Sequence, residues 1–317
     1  MDHSTNRNLS SNRASISAVV AVRNEARNIE RCVRALHFCK EVVVVDSGSV
    51  DGTQAIAERL GARVLQFEYV GGYPKKRQWA LDHGDLIGDW VLVIDADEVV
   101  TPELAAEIVQ RTQAVGGSCA YMGKKTFHFR GRRFRFGGFS HEAVLLFRKG
   151  MARYEESLQN PPVEQDMEVH ERLIVDGEVG RLKGLLIHED FKDLESYIGK
   201  HNHYSSWEAR LRYQYLQTGR WGKDTVEAKL FGNPQEQRRW LKQWILRFPL
   251  EPLVWFVYHY VWKLGFLEAG AGLLAARLRS NYIADVRAKL HELNDRNPER
   301  GRPAGAGVQP ALGSRHS

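Results

Sequence analysis

Three carboxylates within four positions, Asp95, Asp97 and Glu98, follow the apolar run Trp90-Val91-Leu92-Val93-Ile94. Carboxylates are hard oxygen ligands, and a pair of them beside a substrate diphosphate is a common setting for Mg²⁺ or Mn²⁺. Asp95 and Asp97 stand two residues apart, so both turn toward one point only if the chain bends on leaving the strand. A plainer alternative is a solvated acidic turn that caps the helix opened by Pro102. The run ahead of these acids is mostly branched at Cβ and predicts a strand buried on both faces, as in a parallel sheet covered by helices. Ligands of open α/β sheets bind beyond the carboxyl ends of their strands, which is where the three acids stand.

The elements around this strand alternate. Ile16 to Val22 predicts a first strand, and Ile29, Cys32, Val33 and Leu36 give Asn28 to Phe38 a helical spacing. Glu41 to Val45 predicts a second strand, ending in Asp46-Ser47-Gly48-Ser49-Val50-Asp51-Gly52-Thr53. Small turn-forming residues there let a ligand approach the backbone, and Asp51 or Thr53 is a candidate cap for a helix over Gln54 to Leu60. Arg63 to Phe67 predicts a third strand, and Tyr73-Pro74-Lys75-Lys76-Arg77 leads into a helix through Leu81. Strand and helix alternate over about the first 110 residues, so an α/β doubly wound, mostly parallel sheet is expected. Past Gln113 the aromatic and arginine-rich stretch Ala120 to Phe136 and the strand-like Ala143 to Phe147 predict a small antiparallel region. Its arginines form either a solvated hairpin face or a binding surface for phosphate or an acidic acceptor. Asp193 to Leu216 predicts a helix rich in Tyr and His. Neither a GxGxxG after the first strand nor a GxxxxGK[ST] is present, which excludes the usual dehydrogenase and P-loop enzymes. A nucleotide would have to be held by side chains at the strand ends.

The chain has 317 residues and a formal net charge of +6, which points to a polyanionic partner such as a nucleotide, a phosphoglycan, a nucleic acid or an anionic membrane. Cys32, Cys39 and Cys119 fit no metal-ligand spacing and cannot all pair, so a reducing compartment is expected. Residues 1–15 are polar and lack the apolar core of a secretory signal; they and the tail 297–317 are expected to be disordered. Between them the expected division is a domain over 16–205 and a helical extension over 206–296. Within Phe248 to Ala276 the run Leu253 to Tyr258 is strongly apolar, yet Glu251, His259, Lys263 and Glu268 interrupt the wider segment, so it makes a poor spanning helix. Trp240, Trp244, Trp255 and Trp262 mix there with Arg238, Arg239, Lys242, Arg247, Arg277 and Arg279, which suits a helix lying on an anionic leaflet. An ordinary core helix pair is the alternative.

Four stretches in order carry a resemblance: Val19 to Glu25, Val43 to Thr53, Lys76 to Leu81, and Trp90 to Glu98. With a later echo at Val169-His170-Glu171-Arg172, Asp176 to Gly180 and His188, the chain resembles family 2 glycosyltransferases of the GT-A fold. Within that family its pattern is similar to bacterial enzymes of the lipopolysaccharide core β-glucosyltransferase type. The resemblance implies an inverting, metal-dependent transfer of sugar from a nucleotide sugar to a lipid-linked or cell-envelope glycan, as in lipopolysaccharide core or exopolysaccharide synthesis. It implies a UDP-sugar donor, no nucleic-acid partner, and a place on the inner face of the cytoplasmic membrane. Under it Asp46 would accept from a pyrimidine imide N–H, Glu25 would contact the nucleoside, and Arg77 would approach base or diphosphate. Asp97, with Asp95 helping, would hold Mg²⁺ or Mn²⁺, and His188 would complete the metal shell. Inversion needs a base to take the acceptor's hydroxyl proton, and Glu171 matches the family's acidic motif, with Glu164, Asp166 and Glu168 as neighbours able to serve. Relatives often carry Arg where Leu145 stands, and Arg148 is the substitute. A nucleotidyltransferase, or an inactive glycan-binding scaffold of the same fold, are the alternatives. The first lacks its glycine- and lysine-rich phosphate loop at Arg23-Asn24-Glu25, and the second has no use for clustered acids that repel one another.

Overall fold

The computed structural model describes residues 14–156, 172–189 and 193–296. Four strands alternate with helices at the start: β1 (Ala14–Val22), α1 (Ile29–Ala35), β2 (Cys39–Asp46), α2 (Thr53–Arg59), β3 (Arg63–Gln66), α3 (Lys76–His83) and β4 (Trp90–Asp95). A short β5 (Glu98–Val100) and α4 (Pro102–Gln113) follow. The antiparallel region comprises β6 (Ala120–Lys125), the hairpin β7 (His128–Phe129) and β8 (Arg132–Arg133), β9 (His141–Arg148), β10 (Ala152–Tyr154), β11 (Leu173–Val175) and the long β12 (Val179–His188). Helices α5 (Leu194–Thr218), α6 (Pro234–Ile245), α7 (Glu251–Val257) and α8 (Ala269–Arg296) complete the chain, with a π-helical turn and a 3₁₀ turn between the last two.

One sheet in the order β3-β2-β1-β4-β9-β6-β12-β5 runs through the centre. β1 to β4 are parallel, as the alternation predicts, and β9 then enters antiparallel to both β4 and β6. The apolar run of β4 is continuous because both its faces are covered. Leu92 and Ile94 pack with Ile29, Cys32 and Leu104 from α1 and α4, while Val91 and Val93 pack with Ala80 of α3 on the other side. Full burial of each such side chain contributes about 1.5–3 kcal/mol. Pro102 at the first turn and Thr101, whose hydroxyl accepts from the Leu104 N–H, start α4 immediately after β5.

The division expected at 205/206 falls inside α5, which runs unbroken from Leu194 to Thr218. Asp193 caps its start and Gly219, at φ 70°, ends it, and the one internal glycine, Gly199, stays helical. α5 packs along α8, and the hairpin β7–β8 inserts Phe129 and Phe134 toward Ala275 of α8 and Tyr197 of α5. The helical part therefore meets the rest of the chain at the β7–β8 hairpin and where α6 touches β9. One hairpin arginine, Arg132, pairs with the buried Glu268 at 3.0 Å, and the backbone N–H groups of Arg135 and Phe136 donate to the same carboxylate.

Candidate active site

β4 delivers Asp95 at its last position, and Ala96-Asp97 form a two-residue turn into β5. Glu98 holds that turn closed: its Oε2 accepts from the Asp95 N–H at 3.0 Å, and its side chain is buried. The bend required of the chain is therefore built by the third acid of the run. β12 lies antiparallel to β5 with His188 opposite Glu98, which brings a residue ninety positions later beside the turn. His188 Nε2 stands 3.4 Å from Asp97 Oδ2. The backbone frame around this pair is tied down by Glu189 N–H donating to Asp97 O (3.1 Å), His188 N–H to Thr126 Oγ1 (3.3 Å) and Arg31 to Asp97 O (3.4 Å).

The two aspartates of the turn meet different partners. Asp95 receives Arg77 from α3 on one oxygen and Lys125 from β6, at 3.2 Å, on the other. Burial works against its charge, but Arg77 and Lys125 outweigh burial and hold the carboxyl well below the usual range. Lys125 Nζ also lies 2.5 Å from Glu98 Oε1. Burial pushes Glu98 up and Lys125 only partly offsets it. For Asp97 burial again raises the pKa, and the hydrogen bond and charge of His188 reverse the sign. Reciprocally, burial lowers His188 but Asp97 overrides it, pushing the imidazole up to about 9.

Asp97 Oδ1 is buried and has no hydrogen-bond partner among the described residues. A partnerless buried carboxylate oxygen is costly unless something cationic comes to it. Asp97 and His188 together therefore fit a divalent ion, whereas Asp95 is held by Arg77 and Lys125 and does not turn to the same point. Among the described residues no three Asp, Glu, His or Cys side chains converge tightly enough to enclose a metal alone. That is compatible with a Mg²⁺-like ion, which keeps waters and substrate oxygens in its shell.

The other expected site residues lie as follows. Asp46, at the end of β2, is buried, and it accepts from Ser49 N–H (2.9 Å), Gln54 Nε2 (2.6 Å) and the Ser49 hydroxyl. It organises the β2–α2 loop and offers no exposed carboxylate to a base. Glu25 accepts from Asn28 Nδ2 at 2.8 Å, and its backbone N–H donates to Thr53 Oγ1, so it fastens the loop after β1 to the loop after β2. Arg148 pairs in register with Trp90, at the opposite end of β4 from Asp95, and its guanidinium sits 4.7 Å from the Trp90 ring centroid. It cannot stand in for an arginine at Leu145, which is itself buried. Glu171, Glu164, Asp166 and Glu168 lie outside the described residues.

Lys125, Thr126, Arg31 and His141 are contributors that the sequence reading did not single out. The signal for Lys125 was the strand period in Lys124-Lys125, which sends one lysine outward and one inward. His141, paired with Lys125 across β9 and β6, has its ring centroid 6.5 Å from that of His188. Burial, then the charge of Lys125, depresses it to about 3. Two cavities adjoin the site. One of ≈ 60 Å³, between Arg77, Asp95, Lys125 and Arg172, holds little more than water. The other, of ≈ 400 Å³, is walled by His141, Lys124, Glu142 and Arg181 from the strands and by Arg238, Leu241 and Tyr258 from the helical part. Its size is that of a small-ligand site.

Comparison with known proteins bears on the family. Residues 17–161 match the family model described as glycosyl transferase family 2. An uncharacterized glycosyltransferase of Rickettsia felis is 30% identical over 199 residues, covering 62% of this chain and 69% of that protein. A lipopolysaccharide core biosynthesis glycosyltransferase of Rhizobium meliloti is 29% identical over 209 residues, covering 61% of this chain and 70% of the relative. Among solved structures, glucosyl-3-phosphoglycerate synthase from Mycobacterium tuberculosis, in complex with Mn²⁺, UDP and glucosyl-3-phosphoglycerate, is 26% identical with a TM-score of 0.30. That match spans 39% of this chain and about half of the synthase, 47%. The ordered motifs, the acid-bearing end of β4 and the extent of the Rickettsia match together place the chain in glycosyltransferase family 2.

Proposed function

We propose that this glycosyltransferase is an inverting, divalent-metal-dependent enzyme that moves a sugar from a nucleotide-sugar donor to a glycan or glycolipid of the cell envelope. The observation that carries the reading is the buried Oδ1 of Asp97, which meets no hydrogen-bond partner among the described residues, beside His188. Mg²⁺ or Mn²⁺ held by that pair would neutralise charge gathering on the departing nucleoside diphosphate. Arg77 and Lys125 fix Asp95 and add positive charge to the same edge of the sheet, where diphosphate oxygens would lie. UDP-sugars are the first donors to test.

The acceptor sugar is assigned to the ≈ 400 Å³ cavity next to His141. Lys124, Arg181 and Arg238 outnumber Glu142 in its wall, which favours an acceptor bearing phosphate or carboxylate. The relative named for lipopolysaccharide core biosynthesis supports an envelope glycan of that kind. Glu171 keeps the role of base, since attack by the acceptor hydroxyl from the face opposite the leaving group requires a base there. Such donors are cytoplasmic, and we place the enzyme on that side, at the inner face of the membrane.

The test is release of free nucleoside diphosphate from a panel of nucleotide sugars by the purified full chain with and without Mn²⁺. Metal-dependent release is expected, falling by about 10²-fold or more in Asp97→Asn, with the far-UV spectrum of the folded chain retained. Equal turnover in the variant, or pyrophosphate release from a nucleoside triphosphate and a sugar phosphate instead, would overturn the reading.

A further inference from the structure

We infer that the outer face of α6, α7 and the π-helical turn is a docking surface for an anionic lipid bilayer. Scattered exposed apolar residues are ordinary, but contiguous ones mark a partner. α6 exposes Leu241 and Trp244, one turn apart. Leu253, Val257 and Val261 recur every four residues, so they form one exposed stripe along α7 and into the π turn, which ends at Trp262. Trp244 and Trp262 are 67% and 77% exposed, unusual for a side chain of that size unless it is covered.

Charge identifies what covers it. From Trp240 to Glu268 the chain carries two acids, and both are buried: Glu251 accepts from Arg212, and Glu268 pairs with Arg132. The exposed charges of the same stretch, Arg247 and Lys263, are basic. Large aromatics flanked only by positive charge match the headgroup region of an anionic leaflet. A second copy of the chain would instead bring two positive rims together. Among the described residues no helix is long and apolar enough to cross a membrane, so the contact is one of lying on the leaflet. The surface is continuous with the proposed acceptor cavity, because the exposed Leu241 belongs to the cavity wall as well. A lipid-linked saccharide could thus pass from bilayer to cavity without crossing open water.

Lipid contact is read by partition and catalysis by diphosphate release, so either can fail without the other. The experiment is co-sedimentation of the full chain with phosphatidylcholine vesicles, with and without phosphatidylglycerol, together with tryptophan emission. Binding to the phosphatidylglycerol vesicles with a blue shift is expected. Partition should drop by about ten-fold or more in the doubles Trp244→Ser/Trp262→Ser and Arg247→Glu/Lys263→Glu. Both variants should keep the far-UV spectrum and the metal-dependent donor hydrolysis of the wild type, since all four side chains face outward. Absence of wild-type binding to the anionic vesicles would overturn the inference, as would undiminished binding of the tryptophan double. A lipid-free dimer dissolved by Trp244→Ser/Trp262→Ser would also overturn it, by showing a second copy as the occupant.

Discussion

Asp95, Asp97 and Glu98 can stay together in a mostly buried turn because Arg77, Lys125 and His188 are interleaved with them. Removing one member of such a set leaves an uncompensated buried charge, which costs more than the pair contributes. Lys125→Met is therefore expected to lower stability by about 3 kcal/mol, because the buried Glu98 loses its cation. Adding Glu98→Gln should restore most of that loss, since the amide can still accept from the Asp95 N–H without carrying charge. Urea denaturation of the two singles and the double checks this; simple additivity would show that Lys125 and Glu98 are not coupled. At this scale the acids were legible from their order and spacing. Lys125 was not, because nothing in Lys124-Lys125 says that β6 will lie two strands from β4, with this end beside Asp95.

At the scale of elements, the π turn between α7 and α8 depends on one histidine. His259 donates from Nδ1 to the Gly137 carbonyl at 2.6 Å, while its Nε2 is buried without a partner. The Gly137 N–H donates in turn to Lys263 O at 2.7 Å, so the turn and the loop after β8 clasp each other. Protonation would place an unpaired charge at Nε2, and burial accordingly pushes His259 down to about 4 from the ordinary 6.5. A depressed histidine contributes stability that is fully present above about 6.5 and is lost as pH falls through about 4, here up to ~3 kcal/mol. Stability of the wild type should therefore fall more steeply across that window than that of His259→Gln, whose amide can make the same hydrogen bond but cannot titrate. Parallel pH curves would remove this role. The charges that made residues 248–276 hard to read as one helix are the residues that join it to the rest: Glu251, His259 and Glu268 all point inward. Sequence shows that they interrupt an apolar run, not that each has a partner far along the chain.

At the scale of the molecule, a buried ion network holds the helical part together. Glu251 of α7 accepts from Arg212 of α5 at 2.7 and 3.0 Å and lies 3.5 Å from Arg287 of α8. Arg212 also donates to Glu208, which takes Lys242 of α6 at 2.8 Å. Four helices thus meet at two carboxylates. Glu251→Ala should cost about 3–5 kcal/mol and leave Arg212 buried with half its partners. In native-state hydrogen exchange, protection should fall first in α5 to α8 and remain in β1, β2 and β4, whose contacts do not involve Glu251. Uniform loss over the sheet as well would mean that the helical part and the sheet unfold as one unit, as the unbroken α5 permits.

The sequence alone determined the alternation of the first four strands with their helices, the acidic end of β4 and the family. These rest on local features: branched apolar runs buried on both faces, turn residues between them, and acids held at fixed spacing by the chain itself. Tertiary structure alone decided that β9 enters between β4 and β6, that β12 carries His188 to Asp97, and that Lys125 faces Asp95. It also decided which side of the helical part is left bare. The reason is physical: strand order and helix docking are chosen by burial summed over residues distant in sequence, and periodicity reports only that a face is apolar, not what will cover it.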